Sequence, residues 1–287
     1  MIFTTPLRYP GGKTKLAQFI QIVMRENSLL GGHYVEPFAG GAGIAFALLF
    51  HEYAFHVHIN DLNKFVYAFW HSVIEKTDEL CKLINDTPVT VKEWGRQRAI
   101  QANPDEHSIL DLGFSTFFMN RTNRSGIITA GIIGGKAQSG KWKLDARYNK
   151  EDLIARIKKI AMYKNRISIY NKDAADFIIN TLPSLPRRTL VYLDPPYYHK
   201  GQELYENHYY HEDHASLARL VKKKIRQHWV VSYDNVSEVN ELYNGYRQMD
   251  YKISYSAQER YKGSELFIFG PNLKIPSVVD PLKVNVA

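Results

Sequence analysis

The stretch from His33 to Asp61 constrains the fold more than any other part of the chain. His33-Tyr34-Val35-Glu36-Pro37-Phe38 reads as a β-strand, Ala39-Gly40-Gly41-Ala42-Gly43 as a tight turn, and Ile44 to Phe50 as a helix. A second strand covers His56 to Ile59 and ends at Asn60-Asp61. Strand, glycine turn, helix, strand and acid form a βαβ unit, which requires parallel strands joined by a crossover helix. Further strands are expected at Ile167–Tyr170, Leu190–Leu193 and His228–Tyr233, with a late, antiparallel one at Glu265–Phe269. Alternation of strands with helical stretches predicts an α/β fold, a doubly wound mixed sheet.

The fourth of these strands ends in Asp194-Pro195-Pro196-Tyr197. An apolar, β-branched and aromatic run that stops at an acid and prolines reads as a buried strand meeting a rigid turn. Open α/β sheets bind ligands at the carboxyl ends of their strands, so the turn offers a carboxylate and an aromatic ring there. Proline has no N–H and a fixed φ, which leaves the neighbouring carbonyls as stiff acceptors. Such a corner suits a planar exocyclic amine, with both N–H groups accepted and its ring stacked on Tyr197.

With 287 residues the chain has room for one substantial core and a smaller module. Between Leu62 and Arg166 the pattern becomes helical, then glycine-rich and basic from Asn120 to Arg147, then helical again from Lys150. This predicts an insert at 62–166 between the parts 1–61 and 167–287 of one sheet domain. A net charge of +8 favours a polyanionic partner through counterion release. Cys81 is the only cysteine, which rules out an internal disulfide framework and a cysteine-cluster metal site, and its lack of a neighbouring proline-cysteine motif counts against thiolate chemistry at cytosine C5. No apolar stretch approaches the roughly 18 residues of a membrane span, and no signal pattern opens the chain, so a soluble cytoplasmic protein is expected. His56 and His58 share a strand face, and His208, His211 and His214 recur at three-residue spacing, but neither cluster has a matching acid or thiolate set; no metal is expected.

The turn Glu36 to Gly41 lets backbone approach a ligand closely, since glycine leaves no Cβ in the way. Asp61, about 20 residues on, is placed to accept hydrogen bonds from ribose hydroxyls. A dinucleotide fingerprint is incomplete: from Gly40 the later glycines are Ala42 and Ala45, and from Gly41 the last is Phe46. Gly11-Gly12-Lys13-Thr14 is no P-loop, because Leu7 stands where its first glycine belongs and no apolar strand precedes it.

In their order along the chain these motifs resemble the DNA adenine methylase (Dam-like) family of N6-adenine methyltransferases over nearly the whole length. The resemblance implies a Rossmann-like methyltransferase fold with an inserted, mainly helical target-recognition domain carrying a basic β-hairpin. It implies S-adenosylmethionine (AdoMet) as cofactor, with contacts at Tyr9, Gly11, Gly12, Lys13, Glu36, Phe38, Gly40, Asp61 and Asp194. Lys13 would meet the carboxylate of the methionine tail. Asp173 falls where the family often places an acid near the cofactor's adenine, although Ala174 replaces the usual aromatic neighbour. Catalysis is expected of Asp194, Pro195, Pro196 and Tyr197. Double-stranded DNA is the expected partner, read by Arg121, Asn123, Arg124, Lys136, Lys141, Lys143 and Arg147, with arginine matched to guanine and asparagine to adenine. Lys222-Lys223-Lys224 lies on a helix between strands and is expected to be a solvated face.

The implied reaction is site-specific methyl transfer from AdoMet to N6 of an adenine flipped out of the duplex, as in restriction–modification systems. N4 of cytosine is an alternative acceptor, and a non-catalytic DNA-binding regulator is an alternative of another class. The insert does not match the hairpin of GATC-specific enzymes closely, so the target sequence is not carried over.

Overall fold

The computed structural model describes residues 5–9, 13–199, 209–255 and 261–284. Within them the chain forms two compact units. The larger, residues 13–62 and 166–284, is built on a seven-stranded sheet in the order β3-β2-β1-β4-β5-β7-β6. Its strands are β1 (Gly32–Glu36), β2 (Ala54–Asn60), β3 (Ile167–Tyr170), β4 (Thr189–Leu193), β5 (His228–Asp234), β6 (Arg247–Tyr255) and β7 (Tyr261–Phe269). Strands β1 to β5 run parallel, and β7 pairs antiparallel with both β5 and β6. This is the doubly wound mixed sheet that the sequence predicts. The late strand is antiparallel as expected, and β6 on the sheet edge is an addition.

Every residue of β4 is buried, as a strand covered on both faces requires. Helices α1 (Ala17–Glu26) and α2 (Gly43–Phe50) pack within this unit, and α2 is buried from Ile44 to Leu49. One large core gathers Val35, Val191, Leu193, Trp229 and Val231 from three adjacent strands. Phe177 and Ile178 reach it from the helical stretch begun by α8 (Ala174–Asp176), Leu217 and Val221 from α9 (His211–Lys224), and Val239 from α10 (Ser237–Leu242). On α9, Lys222 donates to the carbonyl of Leu242 at 2.8 Å, while Lys223 and Lys224 are exposed.

Residues 63–165 form the second unit, with α3 (Lys64–Glu75), α4 (Thr77–Asp86), α5 (Val91–Ala102), α6 (Ile109–Thr122) and α7 (Lys150–Ala161). Residues 5–9, expected with the sheet, pack here instead. Asn120 supplies the reason: its side chain accepts from the Arg8 N–H at 2.8 Å and donates to the Arg8 and Gly126 carbonyls at 2.6 and 2.7 Å. The aromatic interior includes Phe69 stacked on Phe117 at 6.0 Å, with Tyr148 edge-on to Phe117 at 5.4 Å.

The expected basic hairpin is not formed. After α6 the chain makes one isolated antiparallel bridge, Asn123 with Ile132, and continues as irregular turns to Tyr148. Positive φ at Ser125, Gly126, Gly134, Gly135 and Gln138 interrupts the extended backbone that a continuous ladder requires.

Candidate active site

Parallel pairing of β1 with β4 decides the geometry. Tyr34 lies opposite Leu190 and Val35 opposite Val191, so Glu36 and the glycine turn emerge beside the turn that begins at Asp194. Strand order reverses between these two strands, because β2 and β3 lie on one side and β5 on the other. That is the topological switch point, where open sheets leave a crevice.

On the β1 side, Gly40 has φ +46° and its N–H donates to Asp61 Oδ2 at 2.8 Å, tying the glycine turn to the end of β2. Ala42 also lies in the left-handed region, at φ +48°, which a non-glycine adopts only where its surroundings enforce it. Gly43 opens α2 against Thr14: a Cβ there would sit 2.0 Å from Thr14 Oγ1. Asn60 binds three strand ends together, donating to the carbonyls of Pro37 and Lys172, each at 2.9 Å, and accepting from the Lys172 N–H at 3.0 Å.

Glu36 is buried and holds the turn from within. Its Oε1 accepts from Tyr34 Oη at 3.0 Å and from the Ala45 N–H at 3.1 Å. Burial pushes its carboxyl up to about 8, against these hydrogen bonds, and the charge of Asp194 adds to the rise. A carboxyl with a raised folded pKa stabilises the fold fully below its unfolded value near 4.5 and loses that contribution as pH climbs through about 8. The expected result is a melting temperature that falls between pH 5 and pH 9 in the wild type and falls much less in Glu36→Gln. Equal slopes in the two proteins would refute the buried neutral carboxyl.

On the β4 side, Asp194 leaves a quarter of its side chain exposed, 24 %. Ser232 Oγ donates to Asp194 Oδ1 at 2.7 Å and Lys13 Nζ lies 3.3 Å from the same oxygen. The hydrogen bonds that described residues make to this carboxylate therefore end on Oδ1. Burial raises the Asp194 pKa, Lys13 opposes the rise by its charge, Glu265 adds to it, and the Ser232 and Lys13 hydrogen bonds lower it. Asp234, at the end of β5, accepts from the N–H groups of Tyr198 at 2.9 Å and His199 at 3.3 Å, which anchors the proline turn downstream.

Several sequence expectations change here. Tyr197 is only 4 % exposed: its hydroxyl donates to Glu265 Oε1 at 3.0 Å, so its ring is packed in rather than standing as an open stacking wall. Lys13 is buried and directs its ammonium to Tyr197 Oη, Glu265 Oε1 and Asp194 Oδ1, at 3.0, 3.0 and 3.3 Å. An ammonium has three donors, so none remains in this structure for a cofactor carboxylate. Asp173 is exposed and caps α8 through Ala175 N–H and Asp176 N–H. Phe38 is half-buried against Tyr209, and Tyr9 belongs to the helical unit. Gly11 and Gly12 lie outside the described residues.

The DNA-reading set also divides. Arg121 is buried and donates to the Pro6 carbonyl. Asn123 accepts from Trp94 Nε1 at 2.7 Å and donates to the carbonyls of Ile127 and Ile128. Both are structural, because each side chain satisfies buried backbone or ring groups that would otherwise be unpaired. Arg124, Lys136, Lys141, Lys143 and Arg147 are exposed.

Trp142, 63 % exposed with Lys141 Nζ 5.7 Å from its ring, was signalled in sequence only by an aromatic among cations. Ser232, Asp234, Glu265 and Asn60 carried no signal, being ordinary strand-end residues until the sheet brings them together.

His33 stacks on both His56 and His58, which are tilted to each other, and burial, then His56 and His33, hold His58 down to about 3. Of the second histidine set, His208 lies outside the described residues, and His214 Nδ1 lies 2.9 Å from Tyr233 Oη. Among the described residues no group of three or more His, Cys, Asp or Glu could hold a metal ion. Nor is any helix among them long and apolar enough to cross a membrane.

The family model described as "D12 class N6 adenine-specific DNA methyltransferase" matches residues 9–257. The chain belongs to this family. Both turns of the crevice and the whole helical insert fall inside the matched span. Similar solved structures include the Escherichia coli protein yhhF, described as a methyltransferase, at 9 % identity over 92 % of this chain and 90 % of that one, TM-score 0.36. The rRNA methyltransferase aviRa from Streptomyces viridochromogenes shares 12 % identity over 91 % and 86 % of the two chains, TM-score 0.38. No curated protein matches the chain.

Proposed function

We propose that this D12-class methyltransferase moves a methyl group from AdoMet to N6 of an adenine flipped out of duplex DNA. The observation that carries the reading is the pairing of β1 with β4, which makes the glycine turn and the Asp194 turn neighbours at one crevice. The residues fit the cofactor: Gly40 removes the Cβ from the closest approach, Asp61 and Phe38 offer an acceptor and a ring, and the carboxylates suit a cation. When bound, AdoMet supplies an electrophilic sulfonium methyl.

The remaining chemistry belongs to the chain. N6 of adenine is a poor nucleophile because its lone pair is delocalised into the ring, so positioning supplies most of the acceleration. Asp194 accepts one N–H through Oδ2, since Oδ1 is held by Ser232 and Lys13, and the Pro195 carbonyl accepts the other. The nitrogen is thereby drawn toward tetrahedral geometry. The carboxylate also stabilises positive charge growing on nitrogen in the transition state, and the proton leaves after methyl transfer. Flipping the base costs a few kcal/mol of unstacking, and stacking on Tyr197 would require that ring to move out of its buried seat.

Exposed Lys136, Lys141, Lys143 and Arg147 supply phosphate contacts in this reading, and Trp142 a stacking face. Substituting Lys136, Lys141 and Arg147 by glutamine is expected to lower the slope of log affinity against log salt by about 3. Arg121→Gln should lower thermal stability instead. A slope unchanged by the triple substitution would remove this loop from the interface.

The function is tested by incubating the purified chain with labelled AdoMet and adenine-containing duplexes, then sequencing modified bases in DNA from a methylation-free expression host. Label on cytosine, or DNA binding without transfer, would defeat the adenine assignment.

A further inference from the structure

Lys13 lies in a buried cluster that the transfer reaction, as derived above, uses only in part. Its partner Glu265 sits on β7 and is fully buried. Glu265 Oε1 accepts from Lys13 and from Tyr197 Oη, and Oε2 accepts from Tyr251 Oη on β6. A lone ion pair of this burial is weak evidence of stabilisation, because desolvation opposes the attraction. A shared ammonium between two carboxylates, one of them part-exposed at the crevice, is a different arrangement. It couples the charge of the outer acid to that of the inner one.

We propose that Lys13 and Glu265 form a positioning pair that sets the charge on Asp194 and seats Tyr197, and that Lys13 does not bind the cofactor's carboxylate. The groups facing Asp194 come from every neighbouring element. They are Tyr34 and Glu36 on β1, Tyr192 on β4, Ser232 and Tyr233 on β5, Glu265 on β7 and Lys13 ahead of α1, while Tyr197 in the following turn and Tyr251 on β6 act on Lys13 and Glu265. Among these described residues Lys13 is the one cation. Its ammonium is kept charged because Asp194, Tyr197, Glu265 and Tyr251 together outweigh the effect of burial. Lys13 thus favours the ionised Asp194 that accepts an amine hydrogen, while Glu265 limits that effect by holding the same ammonium 3.0 Å away.

Opposite charges predict opposite displacements of one titration. Lys13→Met should move the acidic limb of methyl transfer to higher pH, and Glu265→Gln should move it to lower pH, each by about one unit. The combined variant removes both charges, which guards against misfolding of Lys13→Met alone, and should return the limb part-way to its original position.

The kinetic arm rests on the methyl-transfer reading, so the same titration is followed without substrate by the 13C shift of the Asp194 carboxyl. If the wild type transfers no methyl group, that reading fails while the carboxyl titration still judges the pair. Opposite shifts, with AdoMet affinity by equilibrium dialysis within a few-fold of wild type in Lys13→Met, support the proposal. Shifts in the same direction, no shift, or loss of AdoMet affinity by tenfold or more in Lys13→Met would overturn it.

Discussion

Asp194→Asn is expected to lower single-turnover methyl transfer to DNA by about a hundred- to a thousandfold, the range seen when one preorganised group facing transition-state charge is removed. The amide retains an oxygen for Ser232 and Lys13, so the turn keeps its hydrogen bonds. What it loses is the negative charge opposite the nitrogen as that nitrogen becomes cationic. Ser232→Ala removes the 2.7 Å bond that orients Oδ1 but leaves the charge, and its expected loss is about tenfold, the equivalent of one ordinary hydrogen bond. The pair of results separates charge from orientation. Quench-flow measurement under saturating AdoMet reads both, and an Asp194→Asn rate equal to wild type would end the assignment of this carboxylate to catalysis.

Gly113→Val is expected to destabilise the helical unit by about 3 kcal/mol or more, the upper range for overpacking a filled interior. Gly113 lies where α6 crosses α3. A Cβ there would meet Ser72 Oγ at 2.3 Å and the Ala68 carbonyl at 2.6 Å. The second contact is backbone, so no rotamer change relieves it, and Ser72 Oγ already donates to the Ala68 carbonyl at 2.7 Å. Gly95 on α5 is the control: nothing lies within 4 Å of a Cβ built on it. Gly95→Ala should therefore stabilise by about 0.5–1 kcal/mol, through helix propensity and a smaller unfolded ensemble. Urea unfolding of both proteins decides the matter, since similar midpoints would mean that the crossing is looser than these distances require.

Those two glycines mark the boundary of what a sequence discloses. Both stand inside helical patterns, and nothing local distinguishes the one that spaces two helices from the one that faces open space. The same boundary runs through the basic segment. Arg121, Asn123 and Arg124 look alike as a polar cluster next to glycines, yet Arg121 and Asn123 are consumed by Pro6, Trp94, Ile127 and Ile128 while Arg124 stays at the surface. Residues 5–9 follow the insert because Asn120 and Arg121 need backbone partners, a demand invisible until helix α6 points them inward.

Local information determined the sheet strands β1 to β5, the antiparallel end, the glycine turn and the Asp194 corner, because strand burial, turn chemistry and proline geometry act over a few residues. Tertiary structure alone decided that Lys13 reaches Asp194 and Glu265, that Tyr197 turns inward, and that Ser232 and Asp234 steady the proline turn. Each of these depends on β5 lying beside β4 and β7 beside β5, or on a lysine arriving from far upstream. Charges and hydrogen bonds between residues distant in sequence are fixed by sheet order, and sheet order is settled by the burial of the whole core.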